Sequence, residues 1–109
     1  MTDLARGSIV SVYATFADAA EAERIARLVV DERLAACANI LGPSRSIYRW
    51  QAAVEEANEV AALFKARAGK AEALVARIAE LHSYEVPCIV VWPIAAALPA
   101  YAAWVKAEG

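Results

Sequence analysis

Arg33 to Arg67, RLAACANILGPSRSIYRWQAAVEEANEVAALFKAR, decides the fold of this chain. Two apolar runs flank a polar turn, and each is longer than an ordinary strand of roughly 5–6 residues. The first ends on Ile47-Tyr48-Arg49-Trp50, where β-branched and aromatic side chains suit a pleated, half-buried surface. In the second, Val54 to Arg67, the alternation sends Val60, Ala62, Phe64 and Ala66 to one face and Glu59, Ala61, Leu63, Lys65 and Arg67 to the other. The pattern predicts a long antiparallel hairpin whose tip projects beyond the body of a small domain. Gly42-Pro43 falls inside its first strand and predicts a kink or bulge, because proline cannot donate to a central ladder.

Working outward, Ile9–Phe16 (IVSVYATF), bounded by Gly7 and Asp18, reads as a first strand. Asp18 and Glu21 resemble a capping box, and Ala22, Ile25, Ala26 and Val29 follow at helical spacing in a helix ending near Arg33. Beyond the hairpin, Gly69 punctuates the chain, and Ala71, Leu74, Val75 and Ile78 mark a second helix. His82-Ser83-Tyr84 leaves that helix, Cys88–Trp92 is a continuous apolar strand between Pro87 and Pro93, and Pro99 opens a short final helix in which Tyr101, Trp104 and Val105 share a face. The order is β-α-β-β-α-β plus a terminal helix. That is an α+β chain with the split βαβ plan of ferredoxin-like folds, in a single domain spanning residues 1–109.

A net charge of −2 argues against a strongly basic nucleic-acid-binding face. No segment supplies the ~20 unbroken apolar residues of a spanning helix, and MTDLARGS has no signal-peptide core, so the expectation is a cytoplasmic protein that does not enter a membrane. Cys37 and Cys88 then read as reduced, buried thiols. Two helices cover one face of a four-stranded sheet, yet the strands alternate poorly. Cys88–Trp92 is apolar throughout, and Ile9, Val10, Val12 and Tyr13 serve both faces. The uncovered face predicts a homo-oligomer, with Trp50, Trp92 and Trp104 as core or interface anchors.

The motifs of common catalytic sites are absent from the sequence: there is no P-loop, no GxGxxG and no GxSxG. The single histidine, His82, sits at a helix C-terminus, where it either caps the last carbonyls or serves as a metal ligand. Glu55, Glu56 and Glu59 read as a charged, exposed hairpin tip. Lys65 and Arg67, on one face of an apolar strand, mark a polar cleft.

Several of these segments carry a resemblance. ERLAACANI (Glu32–Ile40), SIYRW (Ser46–Trp50), Glu59–Arg67, LHSYEVPCIVVWPI (Leu81–Ile94) and PAYAAWV (Pro99–Val105) resemble, in order and over essentially the whole chain, the CutA family of divalent-cation tolerance proteins. The resemblance implies a ferredoxin-like protomer in a compact homotrimer whose hairpins pair at the subunit edges. It also implies a role in tolerance to divalent cations, copper above all, with no enzymatic activity and no required cofactor. It implies His82 as a metal ligand, and Lys65, Tyr84 and Glu85, with Tyr48 and Trp50 on the hairpin, as a pocket between protomers for a metal ion or small anion. The match departs from the family's ligand pattern at Ala14, where some members carry cysteine, at Leu81, where some carry a second histidine, and at Cys88, where glutamate is usual. A thiol in place of a carboxylate would favour copper(I) or zinc over harder cations if it faced the cleft, although a buried strand position is the expectation. The competing readings are a trimeric signalling protein of the nitrogen-regulatory type, binding a nucleotide or small anion at the same clefts, and an assembly trimer with a vestigial cleft. Against the former, the sequence has no glycine-rich phosphate-binding loop.

Overall fold

β1 (Ile9–Phe16) is the centre of a four-stranded antiparallel sheet in a computed structural model that describes residues 3–109. α1 (Ala19–Asp31) follows, then β2 (Cys37–Trp50) and β3 (Ala53–Arg67) as the long hairpin. A 3-10 turn (Ala68–Lys70) leads into α2 (Ala71–Leu81), then β4 (Ile89–Pro93) and α3 (Pro99–Glu108). The strand order is β2-β3-β1-β4, which leaves β2 and β4 as edges.

The alternation read from the sequence sets the two faces. Val12, Ala14 and Phe16 of β1 and Ala62, Phe64 and Ala66 of β3 are fully buried beneath α1 and α2, which contribute Ala22, Ile25 and Val29, and Leu74 and Ile78. Asp18 starts α1 by accepting from the Glu21 amide (2.8 Å). The Glu21 carboxylate reaches back past the cap residue to the Ala17 amide (3.1 Å), one position earlier than in the standard capping box. Arg77 of α2 forks onto the Glu32 carboxylate (2.9 and 2.8 Å) and so ties the two helices together.

The opposite face is covered only at one end. There α3 buries Ala102 and Val105 against Ile9 and Ala36. Tyr101 and Trp104 therefore flank the buried stripe and do not share it with Val105, and both lie at the surface. The Tyr101 hydroxyl lies 3.5 Å from the Cys37 thiol, and burial together with that hydrogen bond pushes Tyr101 up to about 12. Trp50, Trp92 and Trp104 are 40, 49 and 44% exposed in the single chain, so none of them anchors its core.

The expected irregularity at Gly42-Pro43 is a β-bulge between Ile40 and Gly42, with Gly42 at φ +101°. Pro43 is tolerated because β2 is an edge strand. Beyond the Phe16–Val60 pair, β2 and β3 continue alone, from Ser44–Glu59 to Trp50–Ala53, and the molecule measures 51 × 27 × 22 Å.

Candidate functional site

Where the hairpin leaves the sheet, the chain closes around a cleft of about 710 Å³. β1 supplies its floor with Tyr13 and Thr15. The ribbon supplies one wall: Ser46, Tyr48 and Trp50 alternate along β2, and Glu55 and Glu59 stand on the facing strand. The segment Tyr84–Cys88 forms the other wall, where the Thr15 amide donates to the Cys88 carbonyl (3.3 Å).

That second wall is held from behind by two buried polar side chains. The Glu21 carboxylate accepts from the Ser83 amide (2.9 Å) as well as from Ala17. Burial raises its pKa, but hydrogen bonds from Ser83 and Ala17, with the nearby His82, outweigh that and leave it below the ordinary glutamate range. His82 is 9% exposed, and its ring stacks on Phe16 with centroids 5.1 Å apart. Its Nε2 donates to the Thr15 carbonyl (2.7 Å), and its Nδ1 accepts from the Tyr84 amide (3.1 Å). Both ring nitrogens are therefore engaged in holding the wall. The side chain does not cap the helix, whose last turn is closed by the His82 backbone amide donating to Ala79.

Tyr84 turns into the cleft and donates to a carboxylate oxygen of Glu59 (2.7 Å). Burial first, then the Glu59 hydrogen bond and charge, hold the phenol well above its usual range, so it remains a donor at any physiological pH. Glu59 itself is 9% exposed. It is therefore not part of an exposed acidic tip, because the ribbon base and Tyr84 enclose it. Cys88 is also placed differently from expectation: it precedes β4, is exposed in the single chain, and is among the residues lining the cleft. Cys37 is half-buried.

The structure thus brings together Tyr48, Trp50, Tyr84 and Glu85, and leaves the other two anticipated residues outside their cleft. His82 stands behind the wall. Lys65 lies further along the open face, opposite Ser11 and Cys37, and donates to the Asn39 side chain (2.9 Å). Arg67 is diverted to the Lys106 carbonyl at the end of α3 (3.2 Å), so the two cations do not mark one cleft. Glu59 was legible only in part: the alternation puts it on the open face, but its burial depends on Tyr84, 25 positions away.

The cleft is acidic. Glu55, Glu59 and Glu85 line it, and no lysine, arginine or histidine does so among the described residues. The CutA1 divalent ion tolerance protein family model matches residues 10–108, and the chain belongs to that family. The Protein CutA homolog of Xenopus laevis is 37% identical over 99 residues, covering 91% of this chain and 66% of the relative. A crystal structure of CutA from Xylella fastidiosa superposes with a TM-score of 0.90 at 35% identity, covering 93% of this chain and 97% of that one. A structure described as the periplasmic divalent cation tolerance protein CutA from Archaeoglobus fulgidus gives 0.89 at 34% identity, covering 92 and 97%. The chain spans 66% of the length of the Xenopus relative and 56% of that of Mus musculus.

Proposed function

We propose that this chain acts in tolerance to divalent cations as a homotrimer of ferredoxin-like protomers, taking up metal ions, copper above all, at clefts between subunits without turnover. One observation carries the reading: Glu55, Glu59, Glu85 and Cys88 are among the residues that line the cleft, and no lysine, arginine or histidine is, among the described residues. Such a surface attracts cations and repels nucleotides and other anions. It therefore favours the divalent-cation reading over a nucleotide-binding signalling protein and over a small anion as the ligand. Cys88 on the cleft surface adds a soft ligand that suits copper(I) or zinc.

Among the described residues no three His, Cys, Asp or Glu side chains converge to hold a metal ion. A metal site in this cleft is then incomplete within one chain, and the proposal requires a neighbouring protomer to complete the ligand set. His82 supports the site from behind, since ligation through either ring nitrogen would break a hydrogen bond that holds the cleft wall. No helix among the described residues is long and apolar enough to cross a membrane. Cytoplasmic residence is part of this proposal; one related structure is described as periplasmic.

Calorimetric titration with copper(I), copper(II), zinc and ATP tests the reading. Copper is expected to bind, and Cys88→Ser or Glu59→Gln is expected to weaken it roughly tenfold or more, as loss of a ligand or its support does elsewhere. Binding of ATP in the absence of any response to metal would sink it in favour of the signalling class.

A further inference from the structure

Opposite the ribbon, at the Ile9–Arg67 end of the sheet, cationic side chains from three separate segments meet beside the last turn of α3. Arg67, at the end of β3, donates to the Lys106 carbonyl (3.2 Å), and Arg33, in the loop after α1, donates to the next carbonyl, that of Ala107 (2.9 Å). Lys70, in the 3-10 turn, donates to the Arg33 carbonyl (2.7 Å), and Lys106 stands on the same turn of α3. Arg33 holds its place against the preference of the backbone. Its amide donates to the Val30 carbonyl and that of Leu34 to Val29, the two bonds of a Schellman motif, which puts Arg33 at the left-handed position after the helix with φ +61°. Glycine is the usual residue there, because a Cβ resists that conformation. Capping explains only part of the cluster. A helix C-terminus carries about half a negative charge, and one N–H of each guanidinium satisfies each carbonyl. Arg33, Arg67, Lys70 and Lys106 form no ion pair with any described carboxylate, Asp31 and Glu108 at the neighbouring helix ends included.

We infer that this corner binds a multivalent phosphate anion, with the remaining N–H groups of Arg33 and Arg67 forked onto its oxygens and the Lys70 ammonium adding charge. Donation to consecutive carbonyls sets the two guanidinium groups side by side, so one tetrahedral oxyanion can reach both. A monovalent carboxylate would bring too little charge to the cluster, whereas a diphosphate balances it. The inference goes beyond the cation reading and does not depend on it. The corner shares no residue with the cleft, and α3 already covers the second sheet face at this end, through Ala102 and Val105 on Ile9 and Ala36.

The test is calorimetry on the intact, metal-free chain at low ionic strength, with pyrophosphate as the probe and acetate as a monovalent anion. Pyrophosphate is expected to bind, with acetate weaker by about tenfold or more and with affinity falling as ionic strength rises. Arg67→Gln and Lys70→Gln should each weaken pyrophosphate several-fold. Arg33→Gly is the sharper variant, because it removes the guanidinium while giving the left-handed position the residue that suits it. A loss of about tenfold in that variant, with circular dichroism and sedimentation unchanged, is then the loss of a binding group and not of the fold. Arg49→Gln, on the ribbon, should leave pyrophosphate binding as it is. Absence of pyrophosphate binding, equal binding of acetate, or binding that survives both Arg33→Gly and Arg67→Gln overturns the inference. A copper arm keeps the two sites apart: copper bound by Arg33→Gly with pyrophosphate lost supports both readings, and pyrophosphate bound by the parent chain without copper supports this one and overturns the other. ATP held here by its phosphates is lost in Arg33→Gly, which distinguishes it from a nucleotide in the cleft.

Discussion

His82 shows how one side chain can hold a whole wall of the cleft. Its position after a helix left a cap and a metal ligand both open; in the folded chain its Nε2–H donates to the carbonyl of Thr15, 67 residues earlier, and its Nδ1 accepts from the Tyr84 amide. His82→Gln can keep only one of these bonds and loses the stacking on Phe16. Urea denaturation is expected to show a loss of about 1–3 kcal/mol, the cost of leaving a buried partner unsatisfied. Glu21 makes the complementary case for pH. Its folded-state pKa lies below the ordinary value, so its contribution is fully present above about pH 4.3 and is lost as pH falls through the depressed value. Glu21→Gln should therefore be less stable at neutral pH and lose less stability on acidification than the parent, as measured by thermal unfolding between pH 7 and pH 3. A parallel decline in the two proteins would show that Glu21 is not responsible. The capping role of Glu21 was readable from its spacing to Asp18. Its grip on Ser83 was not, because the loop after α2 reaches it only in the folded chain.

The hairpin is the element on which the cleft depends, and its two backbone irregularities predict opposite outcomes. At the tip, Gln51 and Ala52 have φ of +48° and +66°, the left-handed region that a tight two-residue turn demands and that Cβ-bearing residues resist. Ala52→Gly should raise stability by about 1 kcal/mol in denaturant titration. At the bulge, Gly42 has φ +101° with nothing within 4 Å of a Cβ built on it, so Gly42→Ala is opposed by backbone strain alone. It should lose about 1 kcal/mol or more. If Ala52→Gly were destabilising instead, the turn would have a different geometry in solution. The bulge was visible as Gly-Pro inside a strand pattern. The strained tip was not, because Gln-Ala carries none of the Asn-Gly chemistry by which such turns are usually recognised.

Taken whole, the chain leaves large apolar side chains exposed on the ribbon and the second sheet face, among them Tyr48, Trp50, Val54, Val90 and Trp92. α3 covers one end of the second sheet face, but the Tyr13–Trp92 stack (centroids 5.0 Å apart), Val90 and Trp104 remain accessible, and the ribbon beyond Glu59 has no third strand. An isolated two-stranded ribbon is marginal in water, and both problems are relieved if copies of the chain pack face to edge. Sedimentation equilibrium at micromolar concentration should give three times the 11.7 kDa of the chain. Trp92→Glu, which sets a charge in the open face, should shift the particle toward the single-chain mass. A folded wild-type particle at the single-chain mass would remove the proposed inter-subunit site.

The order of strands and helices, the faces of the hairpin and family membership were all determined by the sequence itself. Each rests on local periodicity or on ordered motifs, which neighbouring residues specify without knowledge of distant ones. The composition of the cleft was decided only by tertiary structure. Whether Lys65 joins Tyr84, whether Glu59 is enclosed and whether Cys88 meets solvent all depend on how far the ribbon outruns β1 and where the loop after α2 crosses it. Contacts between segments so far apart in the chain leave no periodic trace. The charge of a binding surface is the sum of such contacts.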